Sequence, residues 1–120
     1  MPADFRLSQA ALNDIDDILE TSYREFGELA RQRYGALIAA ALRHAANSRD
    51  TILLKRRTEL GPDILSWHLR NSAIRSSGER VKRPRHVFYC RWEGERLAIG
   101  RVLYDVMDPR LHVDPDASWE

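Results

Sequence analysis

Apolar residues recur at steps of three and four over the first 47 positions, and alternate at every second position from about residue 64 onward. That change of period predicts helices first and strands afterwards. A short strand opens the chain at residues 3–7, with Phe5 and Leu7 on one face and Asp4 and Arg6 on the other. Ser8 is a good N-cap, because its hydroxyl can satisfy an orphan amide of the next turn. Ala11, Ile15, Ile18, Leu19, Ser22 and Phe26 then form the apolar stripe of an amphipathic helix, which Gly27 is expected to stop. A second helix is predicted over 28–47, with the stripe Ala30, Tyr34, Leu37, Ile38, Ala41, Leu42 and Ala45. So short a break folds two such helices back as a hairpin. Gly35 inside the second helix costs about 1 kcal/mol relative to Ala. A close approach to the sheet is one reason to keep it, and simple tolerance is another.

Residues 48–63 are polar and basic with a Gly61-Pro62 turn, and are expected to be mainly a connection. Residues 64–70 alternate, with Leu65, Trp67 and Leu69 on one face and Ser66, His68 and Arg70 on the other. Residues 71–84 are rich in Ser, Gly and basic residues and predict a long exposed loop. Two strands, 86–92 and 97–106, flank the turn Glu93-Gly94-Glu95 and predict a hairpin. The order strand, helix, helix and three strands (β-α-α-β-β-β) argues an α+β fold, a helical hairpin packed on a small antiparallel sheet.

A length of 120 residues predicts one domain, and 43% hydrophobic content supplies one modest core. The balance of that content with 31% charged residues excludes a disordered, collagen-like or membrane-spanning chain. The longest apolar run, 36–42, is far short of the roughly 20 residues a spanning helix needs. No secretory signal is visible, so a cytoplasmic location with no membrane contact is expected. The lone Cys90 has no internal disulfide partner. The net charge of +1 hides an asymmetry: residues 8–28 carry one Arg against six carboxylates, whereas 55–91 carry ten basic residues against three acidic ones. A nucleic acid, an acidic partner or a merely solvated face would each account for it.

Familiar catalytic constellations are missing from the sequence. His44, His68, His86 and His112 lack the spacing of a zinc site, and no glycine loop for phosphate is present. No metal or cofactor is expected. Cys90 within a strand pattern reads as a small buried hydrophobe. Asp14, Asp16 and Asp17 point in different directions on a helix and read as a solvated face. The basic segment Arg80, Lys82, Arg83, Arg85, His86 and Arg91 remains, with Arg70 and Arg75 nearby in sequence. Guanidinium forks there suit phosphate or carboxylate groups. Trp67, Phe88, Tyr89, Trp92 and Tyr104 lie beside them, as core under the helices or as a stacking platform.

Four segments carry a resemblance: Phe5-Arg6-Leu7-Ser8 with Ala11 through Ile18; Ser66-Trp67-His68-Leu69-Arg70-Asn71-Ser72; Val81-Lys82-Arg83-Pro84-Arg85-His86 with the strand after it; and Gly100-Arg101-Val102-Leu103-Tyr104-Asp105-Val106-Met107-Asp108. Together they resemble the RelE/ParE family of toxins from type II toxin–antitoxin modules, over about residues 3–113. The resemblance implies one toxin domain, 1–113; the acidic end, 114–120, lies beyond it and is expected to be a flexible tail. It looks closer to the ParE branch, regarded as non-catalytic poisons of DNA gyrase that a cognate antitoxin, here of ribbon–helix–helix type, neutralises. The RelE-like alternative is a ribosome-dependent mRNA endoribonuclease. The family's closing strand usually carries His where this chain has Tyr104, the candidate catalytic residue in that alternative. A phenol with a pKa of about 10 needs help to act as a base near neutrality. The antitoxin's carboxylates are expected on Arg70, Arg85, Arg91 and Arg101. The target is expected at Arg101, Tyr104, Met107 and Asp108, with Arg101 an equal candidate for an internal ion pair.

Overall fold

The Ser8 hydroxyl accepts the Ala11 amide at 3.0 Å and donates to the Gly100 carbonyl at 2.8 Å, so one side chain both starts a helix and ties it to the sheet. The computed structural model describes residues 4–49, 51–73, 81 and 83–120. Strand β1 is Phe5–Leu7, helix α1 is Gln9–Phe26 and helix α2 is Glu28–Ala46. Between the helices Gly27 takes φ of 90°, a backbone that side chains rarely adopt, and its amide closes on the Tyr23 carbonyl. Gly35 lies against Leu19 of α1 and not against the sheet; an added methyl there would meet only ordinary contact.

Strands β2 (Lys55–Arg56), β3 (Leu65–His68), β4 (His86–Glu93) and β5 (Arg96–Tyr104) complete the set, with a short helix α3 at Arg70–Ala73. The sheet has five strands in the order β1-β5-β4-β3-β2. All pairings are antiparallel except β1 with β5, which is parallel. The expected α+β plan is present, with a larger sheet than three C-terminal strands would make. Residues 48–63 are more than a connection, since Lys55 and Arg56 form its outer edge. The expected strand 64–70 is shorter, because Arg70 already begins α3. In the expected exposed loop 71–84, Ser72 is buried and accepts the Trp67 indole N–H at 3.2 Å. The rest of that expectation falls partly on residues 74–80 and 82, outside the described residues.

The two faces of the sheet carry separate cores. Trp67, Phe88, Cys90, Leu97, Ile99 and Val102 face the helices and meet Ala11, Leu37, Ile38 and Ala41. Val87, Tyr89, Ala98 and Leu103 face the other way and meet Leu60, Ile64, Val113 and Trp119. The tail expected to be flexible is therefore part of the fold: Trp119 is 3% exposed. A β-bulge explains its seat. Between Tyr89 and Cys90 the register of β4 skips one residue of β5, Gly100. A Cβ at that position would lie 2.7 Å from Trp119 Cζ3, so only glycine leaves room for the indole. The Asp114 carboxylate accepts the Asp116 and Ala117 amides, the indole donates to the Pro115 carbonyl, and the Arg91 guanidinium lies 4.5 Å over the ring. Among the described residues no helix is long and apolar enough to cross a membrane.

Candidate functional site

The ends of β3, β4 and β5 come level at one edge of the sheet. His86 pairs with Tyr104, the Leu69 amide donates to the His86 carbonyl, and the Asp105 amide donates to the Arg85 carbonyl at 2.7 Å. Strand alternation then sends neighbouring side chains to opposite faces. His86 and Tyr104 fall on the helix side; Arg85, His68 and Asp105 gather on the other.

On the helix side, Tyr34 of α2, His86 and Tyr104 meet in series, tilted and edge to face, with centroids 5.4 and 5.5 Å apart. The Tyr34 hydroxyl lies 2.5 Å from His86 Nδ1 and accepts the Arg85 amide at 3.3 Å. With the Tyr34 hydroxyl donating to Nδ1, the tautomer that pairs with it carries the imidazole's proton on Nε2. Burial holds the Tyr34 phenol protonated, up to about 12, and the same cause lowers His86 to about 4. Both are neutral near pH 7. They line a groove of about 850 Å³ between the helical hairpin and the sheet end. Ile18, Phe26, Ala30, Pro84 and Met107 give it apolar walls, Arg33, Arg83 and Arg85 one basic side, and Asp17 and Glu25 an acidic one. Arg83 there holds φ of 56°, an uncommon backbone for a residue with a side chain.

On the opposite side, His68 Nε2 donates to Asp105 Oδ2 at 3.2 Å while its Nδ1 accepts the Arg70 amide at 3.1 Å. Both nitrogens are committed, and burial lowers its pKa, so His68 is a neutral brace rather than a free base. Burial alone would raise the Asp105 carboxyl, but the hydrogen bonds from His68 and from Arg85 at 3.3 Å outweigh it and hold the pKa low. A second cleft, about 690 Å³, opens beside these groups and is lined by Lys55, Arg57, Ser66, Arg70, Arg85 and Asp105 among others.

The candidate residues from the sequence do not form one surface. Arg85, Tyr104 and Met107 meet at the groove, and Arg70 and Arg85 meet at the cleft. Arg91 is elsewhere, bonded to Glu93 at 3.3 Å and lying over Trp119. Arg101 is the internal ion-pair partner: its guanidinium grips both oxygens of Asp14 at 2.8 and 3.0 Å and donates to the His112 carbonyl at 2.8 Å. Asp14 also accepts the Val102 amide at 2.9 Å, so it leaves the solvated acidic face expected for it. Asp108 caps the turn Pro109–Leu111 and bonds Arg110. Cys90 is wholly buried, and burial pushes its thiol up to about 12. Sequence reasoning missed Tyr34, which looked like one more core position of α2, and the roles of His68 and Asp105. His68 and Asp105 lie near the ends of expected strands and within two of the segments that carry the resemblance, whereas Tyr34 carried no mark beyond its apolar stripe. No group of three metal-binding side chains occurs among the described residues. No family model matches the chain, and no curated protein matches it in sequence.

Proposed function

We propose that this chain is the toxin of a type II toxin–antitoxin module, ParE-like in action. It stops growth by poisoning DNA gyrase, catalyses no reaction itself, works in the cytoplasm, and is silenced by a cognate antitoxin of ribbon–helix–helix type. One observation carries the reading. Three segments that bear the RelE/ParE resemblance, 66–72, 81–86 and 100–108, supply the described side chains of a single place, the sheet end with His68, Arg85, His86, Tyr104 and Asp105. Antiparallel pairing of β3, β4 and β5 brings residues some 40 positions apart to that one end of the sheet. The groove beside them suits the antitoxin: an acidic, apolar segment would bury its apolar side chains against Phe26, Ile18 and Met107 and set carboxylates on Arg83 and Arg85. Purified protein should produce gyrase-dependent DNA breaks, and Phe26→Asp, at a side chain 73% exposed, should weaken antitoxin binding without unfolding the chain. Intact DNA in the presence of gyrase, with growth unaffected in cells lacking antitoxin, would remove the reading.

A RelE-like ribosome-dependent endoribonuclease is the second reading, and the Tyr34–His86–Tyr104 series favours it. A neutral imidazole whose Nε2 proton is set by Tyr34 is a hydrogen-bond donor suited to a developing negative charge. Tyr104 beside it would then act on the nucleotide. Cleavage of ribosome-bound mRNA that disappears in a folded Tyr104→Phe protein would move the assignment to this branch.

A further inference from the structure

The cleft on the sheet face away from the helices is cationic, and of its basic side chains the function proposed above employs Arg85 alone. Lys55, Arg57, Arg70 and Arg85 line it against a single carboxylate, Asp105. Asp105 is already held by His68 and Arg85. Arg57 shares its charge with Glu59 at 2.5 Å and lies over the Tyr89 ring at 5.4 Å. Lys55 and Arg70 are exposed, and among the described residues neither has a carboxylate partner. Ser66 and Asn71 add neutral polar groups to the same wall. With Arg57 and Arg85 paired, Lys55 and Arg70 leave the concave surface with positive charge that no described carboxylate offsets, and an anionic ligand relieves it.

We propose that this cleft binds the phosphodiester backbone of duplex DNA, so that the protein holds DNA directly. The lining decides between kinds of nucleic acid. Single strands are held by stacking their bases on exposed aromatic rings. Of the cleft's two rings, Tyr89 is 3% exposed and covered by Arg57, and His68 is held at both nitrogens by Asp105 and the Arg70 amide, so neither offers an open face for a base. Tyr34, His86 and Tyr104 open onto the groove, on the helix side. What the cleft offers is charge and forked donors, the means of gripping phosphates without reading sequence. The choice of duplex DNA over duplex RNA rests on the gyrase reading, because gyrase's substrate is DNA.

The test is fluorescence anisotropy of the full chain with a labelled DNA duplex over a range of salt, without gyrase. Each phosphate neutralised contributes a slope of about −0.9 in log affinity against log salt. Lys55→Glu/Arg70→Glu should lower affinity at least tenfold and flatten the slope by about 1.8, the share of two phosphates. Arg24→Glu, on the exposed side of α1, should change neither. Affinity and slope unchanged in the double variant would overturn the proposal. So would tenfold tighter binding to the matching single strand or RNA duplex. Failure here with gyrase-dependent breaks intact would remove the cleft alone. DNA binding that survives without any gyrase-dependent breaks would remove the gyrase reading and leave the cleft.

Discussion

Removing the Asp14 carboxylate should cost more stability than removing the Arg101 guanidinium it holds. Their side chains are 14% and 23% exposed, between the surface pair, which contributes about 0–1 kcal/mol, and the buried pair, whose rupture costs about 3–5 kcal/mol. Asp14 accepts three hydrogen bonds, two from Arg101 and one from the Val102 amide. Asp14→Ala leaves the guanidinium with the His112 carbonyl alone and orphans the Val102 amide, and a stranded charged group and a stranded amide together cost about 3 kcal/mol. Arg101→Ala leaves Asp14 its Val102 bond and should cost about 2 kcal/mol. The double variant should lose about 3.5 kcal/mol, a coupling of about 1.5 kcal/mol. Asp14→Asn, which keeps an oxygen for Val102, should fall below Asp14→Ala in cost.

Urea denaturation of the four proteins measures this, with midpoints moving and the slope m unchanged. In a domain of this size each kcal/mol lowers Tm by roughly 4 °C, so Asp14→Ala should melt about 12 °C early. A coupling below about 0.5 kcal/mol, or an Arg101→Ala protein as stable as the parent, would refute the reasoning and return Arg101 to the pool of side chains free to meet a partner.

Three further outcomes follow from the buried groups. His86, lowered to about 4 in the fold, should ionise first in the unfolded chain as pH falls below about 6.5, so stability drops from pH 6.5 to 4; His86→Gln should lose about 2–3 kcal/mol of that pH dependence in urea melts at pH 7 and 4.5. Trp119→Ala should cost about 3 kcal/mol or more, and Gly100→Ala about 1–3 kcal/mol by pushing the same indole from its seat; a tail that matters little to the fold would leave both melts unchanged. Cys90, with its thiol raised to about 12, should resist iodoacetamide at pH 8 in the native protein and react at once in denaturant.

The helices and the two long strands were legible because their signals are local: Ser8 as a cap, Gly27 as a stop, the 3.6 and 2.0 periods. Strand β1 was legible as a strand but not as the parallel neighbour of β5, since a partner some 90 residues away leaves no mark on three residues. The same distance hid Asp14, which looks like its solvated neighbours Asp16 and Asp17 until Arg101 is placed beside it. The tail read as flexible because it is an acidic terminus beyond the segments that carry the resemblance. Trp119 reverses that, and what accommodates it is a missing side chain at Gly100, which no periodicity marks. The resemblance named Arg85, Tyr104 and Met107, and the fold brings those three to one groove, whereas Tyr34 was hidden among the apolar positions of its helix.

One register builds both cavities at the sheet end, and that couples them. Alternation turns His86 and Tyr104 toward the helices and Arg85 and Asp105 away, yet Arg85 and Met107 line the groove and the cleft alike. The Arg85 guanidinium lies 5.0 Å over the Tyr104 ring and 3.3 Å from Asp105, poised between the two sides. A carboxylate in the groove and a phosphate in the cleft would compete for it. Linkage requires the two effects to be equal: an acidic segment in the groove weakens DNA binding by the factor by which DNA weakens the segment. With Arg85→Ala the shared charge is gone, and each ligand should bind more weakly but without regard to the other. Titrating an acidic, apolar peptide against DNA-bound protein, and DNA against peptide-bound protein, reads both legs. Competition that persists undiminished in Arg85→Ala would place the coupling elsewhere, and Met107 is the next wall to vary.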